Sequence, residues 1–137
     1  MYDGLAVSET SVRYKVLVVE DERVVAKDLA LTLEGMGYQV VGSAASRDEA
    51  LAVCAKEVPD IVLMDIRIKG PIDGIDTAKE LLELYGLHVI YLTAHADVAS
   101  IDRAKRTRPH AYLLKPVKGG ELQGAIEIAM FKKLTAS

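Results

Sequence analysis

Lys15-Val16-Leu17-Val18-Val19-Glu20-Asp21-Glu22 sets an apolar run directly against three consecutive acids. The run is mostly β-branched and shows no polar alternation. That pattern marks a strand covered on both faces, as in a parallel sheet. Ile61-Val62-Leu63-Met64 and His88-Val89-Ile90-Tyr91-Leu92 repeat it, and Tyr38–Gly42 and Ala111–Leu114 are shorter strand patterns. Helical patterns lie between them. Val25, Leu29, Leu33 and Met36 share one helix face, and Gly35 and Gly37 stand where that helix should stop. Ser46–Glu57 opens with Ser46 as N-cap and Glu49 three residues on, a capping-box pattern, and Pro59 blocks its continuation. Ile75–Tyr85, Asp97–Thr107 and Gly120–Lys133 are three further helices. Strands alternating with helices give βαβ units and an open parallel sheet with helices on both faces. Ligands of such folds bind at the carboxyl ends of the strands.

Composition agrees with one globular domain. The chain has 137 residues, of which 50% are hydrophobic and 27% charged. Seventeen Lys and Arg against 20 Asp and Glu leave a net charge of −3. Charge-driven disorder and a strongly basic nucleic-acid binder are both disfavoured. The single cysteine, Cys54, forms no internal disulfide and no multi-cysteine zinc site, and suits a small core position. The apolar runs are too short to cross a membrane. The start of the chain has no basic residue followed by an apolar stretch, so no signal peptide is expected. These features lead to the expectation of a cytoplasmic protein. Residues 1–13 are expected as a flexible leader, 14–134 as the folded unit and 135–137 as a tail.

The strand ends carry the polar chemistry. The first ends in Glu20-Asp21-Glu22, the third in Asp65, the fourth in Thr93 followed by Ala94, and the fifth in Lys115-Pro116. A nucleotide site of this fold class needs a glycine-rich turn after the first strand. Acids stand there instead, and acids repel phosphate but accept a hard divalent cation. Mg²⁺ (or Mn²⁺) would keep Asp21, Asp65 and Glu20 ionised together, against their mutual repulsion. A carboxylate can act as nucleophile and form an acyl phosphate, and Asp65, mid-sheet, is the best placed. Around a phosphoryl group the cation would neutralise one oxygen, the Lys115 ammonium a second, and the Thr93 hydroxyl with the Ala94 backbone N–H the third.

Four motifs together resemble the receiver domains of two-component response regulators. They are Val18-Val19-Glu20-Asp21-Glu22, Leu63-Met64-Asp65-Ile66, Tyr91-Leu92-Thr93-Ala94 and Tyr112-Leu113-Leu114-Lys115-Pro116. The resemblance runs from about Lys15 to Lys133. It implies a flavodoxin-like (βα)5 α/β fold with a doubly wound parallel five-stranded sheet of order 2-1-3-4-5. It implies that Asp65 accepts a phosphoryl group from a histidine kinase or a histidine phosphotransfer protein. Asp21 would be a direct metal ligand, Glu20 the second acid of the pair, and the Arg67 backbone carbonyl a further ligand. Thr93 and Lys115 would sense the phosphoryl group, and Tyr112 would be the aromatic switch. The Lys115–Pro116 bond would be cis, and Arg67 and His95 would tune the lifetime of the acyl phosphate. Output would pass through the fourth helix, fifth strand and fifth helix to a downstream protein, a fused effector domain or a second copy. No enzyme activity beyond slow self-catalysed phosphorylation and dephosphorylation is implied, and no nucleic-acid or membrane contact.

Two positions depart from the family pattern. Glu20 stands where Asp is also common, and the segment Lys69-Gly70-Pro71-Ile72-Asp73-Gly74 is one residue longer than the usual connection. Plainer roles stand beside the functional ones. Glu22 suits the start of a helix through the helix dipole. His88 and His110 flank strands and suit structural positions. The basic run Arg103, Lys105, Arg106 and Arg108 suits a solvated helix end, or a docking patch for a partner protein. Two other functions fit the fold class. An aspartate-nucleophile phosphatase needs a second acid two residues after the nucleophile, where this chain has Arg67. A pseudo-receiver, binding partners without phosphorylation, would not need the full set Asp21, Asp65, Thr93 and Lys115.

Overall fold

All of Val16–Val19, Ile61–Met64 and Val89–Thr93 is buried. These runs form the centre of the sheet in a computed structural model that describes residues 13–94 and 97–135. The elements run β1 (Lys15–Val19), α1 (Arg23–Gly35), β2 (Gln39–Ala44), α2 (Arg47–Lys56), β3 (Ile61–Met64), α3 (Gly74–Tyr85), β4 (Val89–Thr93), α4 (Val98–Lys105), β5 (Ala111–Leu114) and α5 (Gly119–Thr135). The five strands are parallel in the order β2-β1-β3-β4-β5, as expected.

Period-two alternation divides the strand residues between two cores. Leu17, Val19, Val62, Met64, Val89 and Tyr91 face α2, α3 and α4, where Ala50, Cys54, Ala78, Leu81 and Ala104 cover them. Val16, Val18, Ile61, Leu63, Ile90 and Leu92 face α1 and α5, under Leu33, Leu122, Ile126 and Met130. Cys54 is a buried, free thiol, as its helix position suggested. No helix among the described residues is long and apolar enough to cross a membrane.

Three elements end two residues from the sequence expectation: β2, α4, and α5, which runs to Thr135, one residue into the expected tail, rather than stopping at Lys133. β2 runs over Gln39–Ala44 rather than stopping at Gly42. A register shift opposite Val16 and Leu17 skips one residue, so Ser43 and Ala44 still pair with Val18 and Val19. Gly42 does not end the strand. It makes room for α2, because a Cβ there would meet the Val53 side chain at 3.0 Å. α4 is shorter than Asp97–Thr107. Asp97 is its N-cap, accepting from the Ser100 N–H at 2.8 Å. At the other end Thr107 has left the helix and is buried. Its hydroxyl donates to the Ala104 carbonyl at 2.6 Å. That uses its one proton, so the Tyr91 hydroxyl, 2.7 Å away, donates to Thr107. Burial pushes the Tyr91 pKa up to about 12.

Ser46 caps α2 as expected, accepting from the Glu49 N–H. Glu49 returns its bond to the Ala45 N–H rather than to Ser46 itself. Arg13, placed in the leader on sequence, donates to the carbonyls of Gly37 and Tyr38. Residues 1–12, the rest of that expected leader, lie outside the described residues.

The connection after β3, expected to be longer than usual, is pinned rather than loose. Lys69 N–H donates to the Ala45 carbonyl at 2.9 Å, and Lys69 pairs with Ser46 in an isolated parallel bridge. The connection ends at Gly74, whose N–H donates to the Ile66 carbonyl at 2.7 Å. A Cβ on Gly74 would lie 1.9 Å from the Asp65 carbonyl oxygen. The start of α3 therefore rests on the backbone of Asp65, and only glycine permits the approach. Gly74→Ala is expected to lower stability by about 3 kcal/mol or more, since the clash is with backbone that has no room to yield. Urea unfolding measures it, and an unchanged midpoint would contradict the packing described.

Candidate functional site

The strand register assembles the polar ends. Val19 of β1 pairs with Met64 of β3, so Glu20 and Asp65 stand level. Met64 pairs with Tyr91 of β4, and Thr93 pairs with Leu114 of β5. Thr93 and Lys115 thus end the next two strands on the same side of the sheet. Glu20, Asp65 and Thr93 are buried.

Side chains from β1, β3 and β5 meet there. Lys115 Nζ donates to Glu20 Oε1 at 2.6 Å and to Asp65 Oδ2 at 2.9 Å. The Glu22 backbone N–H donates to Glu20 Oε2 at 3.1 Å. The Arg67 backbone N–H donates to Asp65 Oδ1 at 3.2 Å. One carboxylate oxygen from each of Glu20, Asp21 and Asp65 lies within 4.8 Å of the others.

The charges are not balanced. Three carboxylates against one ammonium leave the cluster two charges short of neutrality. Burial is the largest influence on Glu20 and pushes its pKa above the usual carboxylate range. Lys115 and the Glu22 N–H pull it back only in part, and the Asp65 charge adds to the rise. Burial also disfavours the Lys115 ammonium, but its bonds to Glu20 and Asp65 outweigh that and hold its pKa above the usual lysine value. Three clustered hard oxygen donors with two uncompensated charges fit a divalent cation of the Mg²⁺ type. Asp21, Asp65 and Glu20 are the residues that would hold it.

The other expected site residues are placed as follows. Ala94 is exposed immediately after β4. Tyr112 is half-buried in β5, its ring 5.8 Å from that of Tyr91 and tilted by 53°. Burial, and then the Asp97 charge, raise the Tyr112 pKa. The Lys115–Pro116 peptide bond is cis. Arg67 is exposed two residues after Asp65. His95 lies outside the described residues. His88 and His110 sit at the opposite end of the sheet, their rings 5.5 Å apart, and His88 Nδ1 donates to the Arg108 carbonyl.

Three features were missed on sequence. The Lys115–Glu20 pair spans 95 residues and depends on the length of both side chains. Gly74 carried a signal, a glycine before the third helix, but nothing tied it to Asp65. Asp73 caps α3 and is held by Arg103 of α4 at 2.9 Å. Burial works against that carboxylate, yet Arg103 and the Asp76 N–H outweigh it and hold the Asp73 pKa below the ordinary value.

Comparison with known proteins agrees with this geometry. The family model for the response regulator receiver domain matches residues 16–127. The chain belongs to the response regulator receiver domain family. The transcriptional regulatory protein PdtaR of Mycobacterium tuberculosis is 35% identical over 131 residues, which is 94% of this chain and 63% of that protein. The phyllosphere-induced regulator PhyR of Methylorubrum extorquens is 29% identical over 89% of this chain and 45% of that protein. The chain thus spans less than two thirds of the length of these relatives. Among solved structures, the signal receiver domain of a modulated diguanylate cyclase from Desulfovibrio desulfuricans G20 superposes with a TM-score of 0.85. It is 40% identical, covering 92% of this chain and 100% of that one. The PhyR receiver domain of Erythrobacter litoralis gives a TM-score of 0.77 at 29% identity, over 87% of this chain and 91% of that one.

Folded Glu20 binds its proton more tightly than the unfolded chain does. Its contribution to metal-free stability is fully present below its ordinary value of 4.5 and is lost as pH rises through the raised folded pKa. Urea unfolding in EDTA should therefore show wild-type stability declining over that window relative to Glu20→Gln. A constant difference would sink the assignment. Mg²⁺ at about 100 times its Kd is expected to add about 2.7 kcal/mol. Asp21→Asn should remove most of that gain, read as the shift in unfolding midpoint on adding Mg²⁺.

Proposed function

We propose that this domain is a phosphoryl-accepting switch, with Asp65 as acceptor. The observation that supports it best is the Lys115 ammonium bound to Asp65 and Glu20 beside a third carboxylate. The donor is a phosphohistidine of a histidine kinase or of a histidine phosphotransfer protein. An Asp65 carboxylate oxygen attacks phosphorus, the O–P bond forms, and the P–N bond of the donor breaks. The leaving imidazole keeps the electron pair and takes its proton from solvent. The product is an acyl phosphate on Asp65.

The surrounding residues set the charge balance. Bound Mg²⁺ supplies charge neutralisation at the entering phosphoryl oxygens. Lys115, already 2.9 Å from Asp65, pairs with a phosphoryl oxygen as the carboxylate charge it now balances is used in the new bond. The Thr93 hydroxyl and the Ala94 N–H bind a third oxygen. Movement of Thr93 toward that oxygen opens space that Tyr112 takes up, and the face formed by α4, β5 and α5 changes with it. Readers of that face are a downstream protein, a fused effector domain or a second copy. Arg67 and His95 set access of water to the acyl phosphate. The domain turns over no other substrate, and it works in the cytoplasm, where such donors are found.

The test is direct. With Mg²⁺ and a small phosphodonor such as acetyl phosphate, intact-mass analysis should show one added phosphoryl group. Asp65→Asn should abolish it, and Asp21→Asn should slow it at least about tenfold, equivalent to about 1.4 kcal/mol in the barrier. Equal labelling of Asp65→Asn would remove Asp65 as the acceptor. No Mg²⁺-dependent labelling at all would favour the pseudo-receiver. Steady hydrolysis of phosphate esters would favour the phosphatase.

A further inference from the structure

A groove of about 650 Å³ runs between α3 and α4, away from the acidic site. One wall is the length of α3, from Ile75 through Lys79 and Leu82 to Gly86, roughly 16 Å of helix. The other wall carries Arg103, Arg106 and Arg108 from the end of α4 and the turn after it. Four cations thus face two acids, Asp76 and Glu83, on a chain whose net charge is −3.

Arg103 is engaged, with guanidinium nitrogens 2.9 Å from Asp73 and 3.3 Å from Asp76. The side chains of Lys79, Arg106 and Arg108 make no ion pair or hydrogen bond with a described residue. The helix dipole accounts for Arg103 and Lys105 in the last turn of α4. It does not account for Arg108, which lies beyond the helix with φ of 50°. A left-handed backbone is unfavourable for a non-glycine residue. It is held there by His88 Nδ1 donating to its carbonyl at 2.7 Å and by its own N–H on the Lys105 carbonyl.

We propose that the α3–α4 groove docks an acidic segment of a partner protein, with carboxylates on Lys79, Arg106 and Arg108 and an apolar side chain against Leu82. The cations are distributed along two walls rather than gathered around one point. That suits several separated carboxylates better than a single compact anion. Both helices also end at this groove, and helix C-termini disfavour a concentrated negative charge. Docking on Lys79, Arg106 and Arg108 leaves Arg103 on Asp73 and Asp76, and it does not rest on the phosphoryl-acceptor reading.

A heteronuclear NMR titration in EDTA, with no phosphodonor, tests docking alone. The probe is a short peptide of alternating glutamate-rich turns and leucines, at low ionic strength. Amide shifts are expected at Lys79, Glu83 and Arg106 to Arg108. Arg106→Glu combined with Arg108→Glu should weaken binding at least about tenfold, or about 1.4 kcal/mol. Lys132→Glu with Lys133→Glu, the same charge change elsewhere, should leave the affinity unchanged. The unfolding midpoint of each variant shows that it is folded, and Lys79→Glu provides the same test from the opposite wall. Shifts scattered over the basic surface, or equal losses in both double variants, would overturn the proposal. So would tighter binding of adenosine monophosphate in the same groove, which would make it a small-phosphate site.

Discussion

The Lys115 ammonium holds the functional end of the sheet together. It is carried by the residue after β5, an edge strand, and reaches past β4 to carboxylates at the ends of β3 and β1. Glu20 is all but sealed from solvent, with 2% of its side chain exposed. A buried carboxylate without a partner is very unfavourable. The pair therefore dictates where the chain after β5 must run, and with it the start of α5. The same ammonium leaves two negative charges uncompensated. The site is thus built to gain from an arriving cation, and the fold supports this by anchoring each acid to a rigid strand end.

The fold was legible because three central strands are buried on both faces. Such strands must be continuously apolar, and Val16–Val19, Ile61–Met64 and Val89–Leu92 show that directly. β2 was harder because it is an edge strand with a skipped residue, and Gly42 looks like a stop. Its reason is a neighbouring helix, and no short-range rule sees the Val53 side chain. The site was legible as residue types at strand ends, since a parallel sheet brings those ends together. Side-chain pairing was not. Sequence reading assigned Lys115 to a phosphoryl oxygen, and geometry pairs it with Glu20 and Asp65. Whether an ammonium reaches one acid or two depends on side-chain lengths and on strand order.

The connection after β3 shows how an irregular segment is made definite. Both its ends are fixed by backbone hydrogen bonds, at Lys69 to Ala45 and at Gly74 to Ile66. Arg103 adds a third tie through Asp73. Asp65 therefore sits at the root of a braced segment that touches both α2 and α4.

The buried hydroxyl pair of Tyr91 and Thr107 gives α4 a mechanical character. This helix has eight residues and buries only Ala104, so packing alone fixes it weakly. Its carboxyl end is bolted to β4 through Thr107, while its amino end follows directly after Thr93 and the short stretch beyond it. The buried Tyr91–Thr107 pair and the Arg103 contacts with Asp73 and Asp76 both hold its carboxyl-terminal half, while Val98 and Ile101 in its amino-terminal half stand exposed.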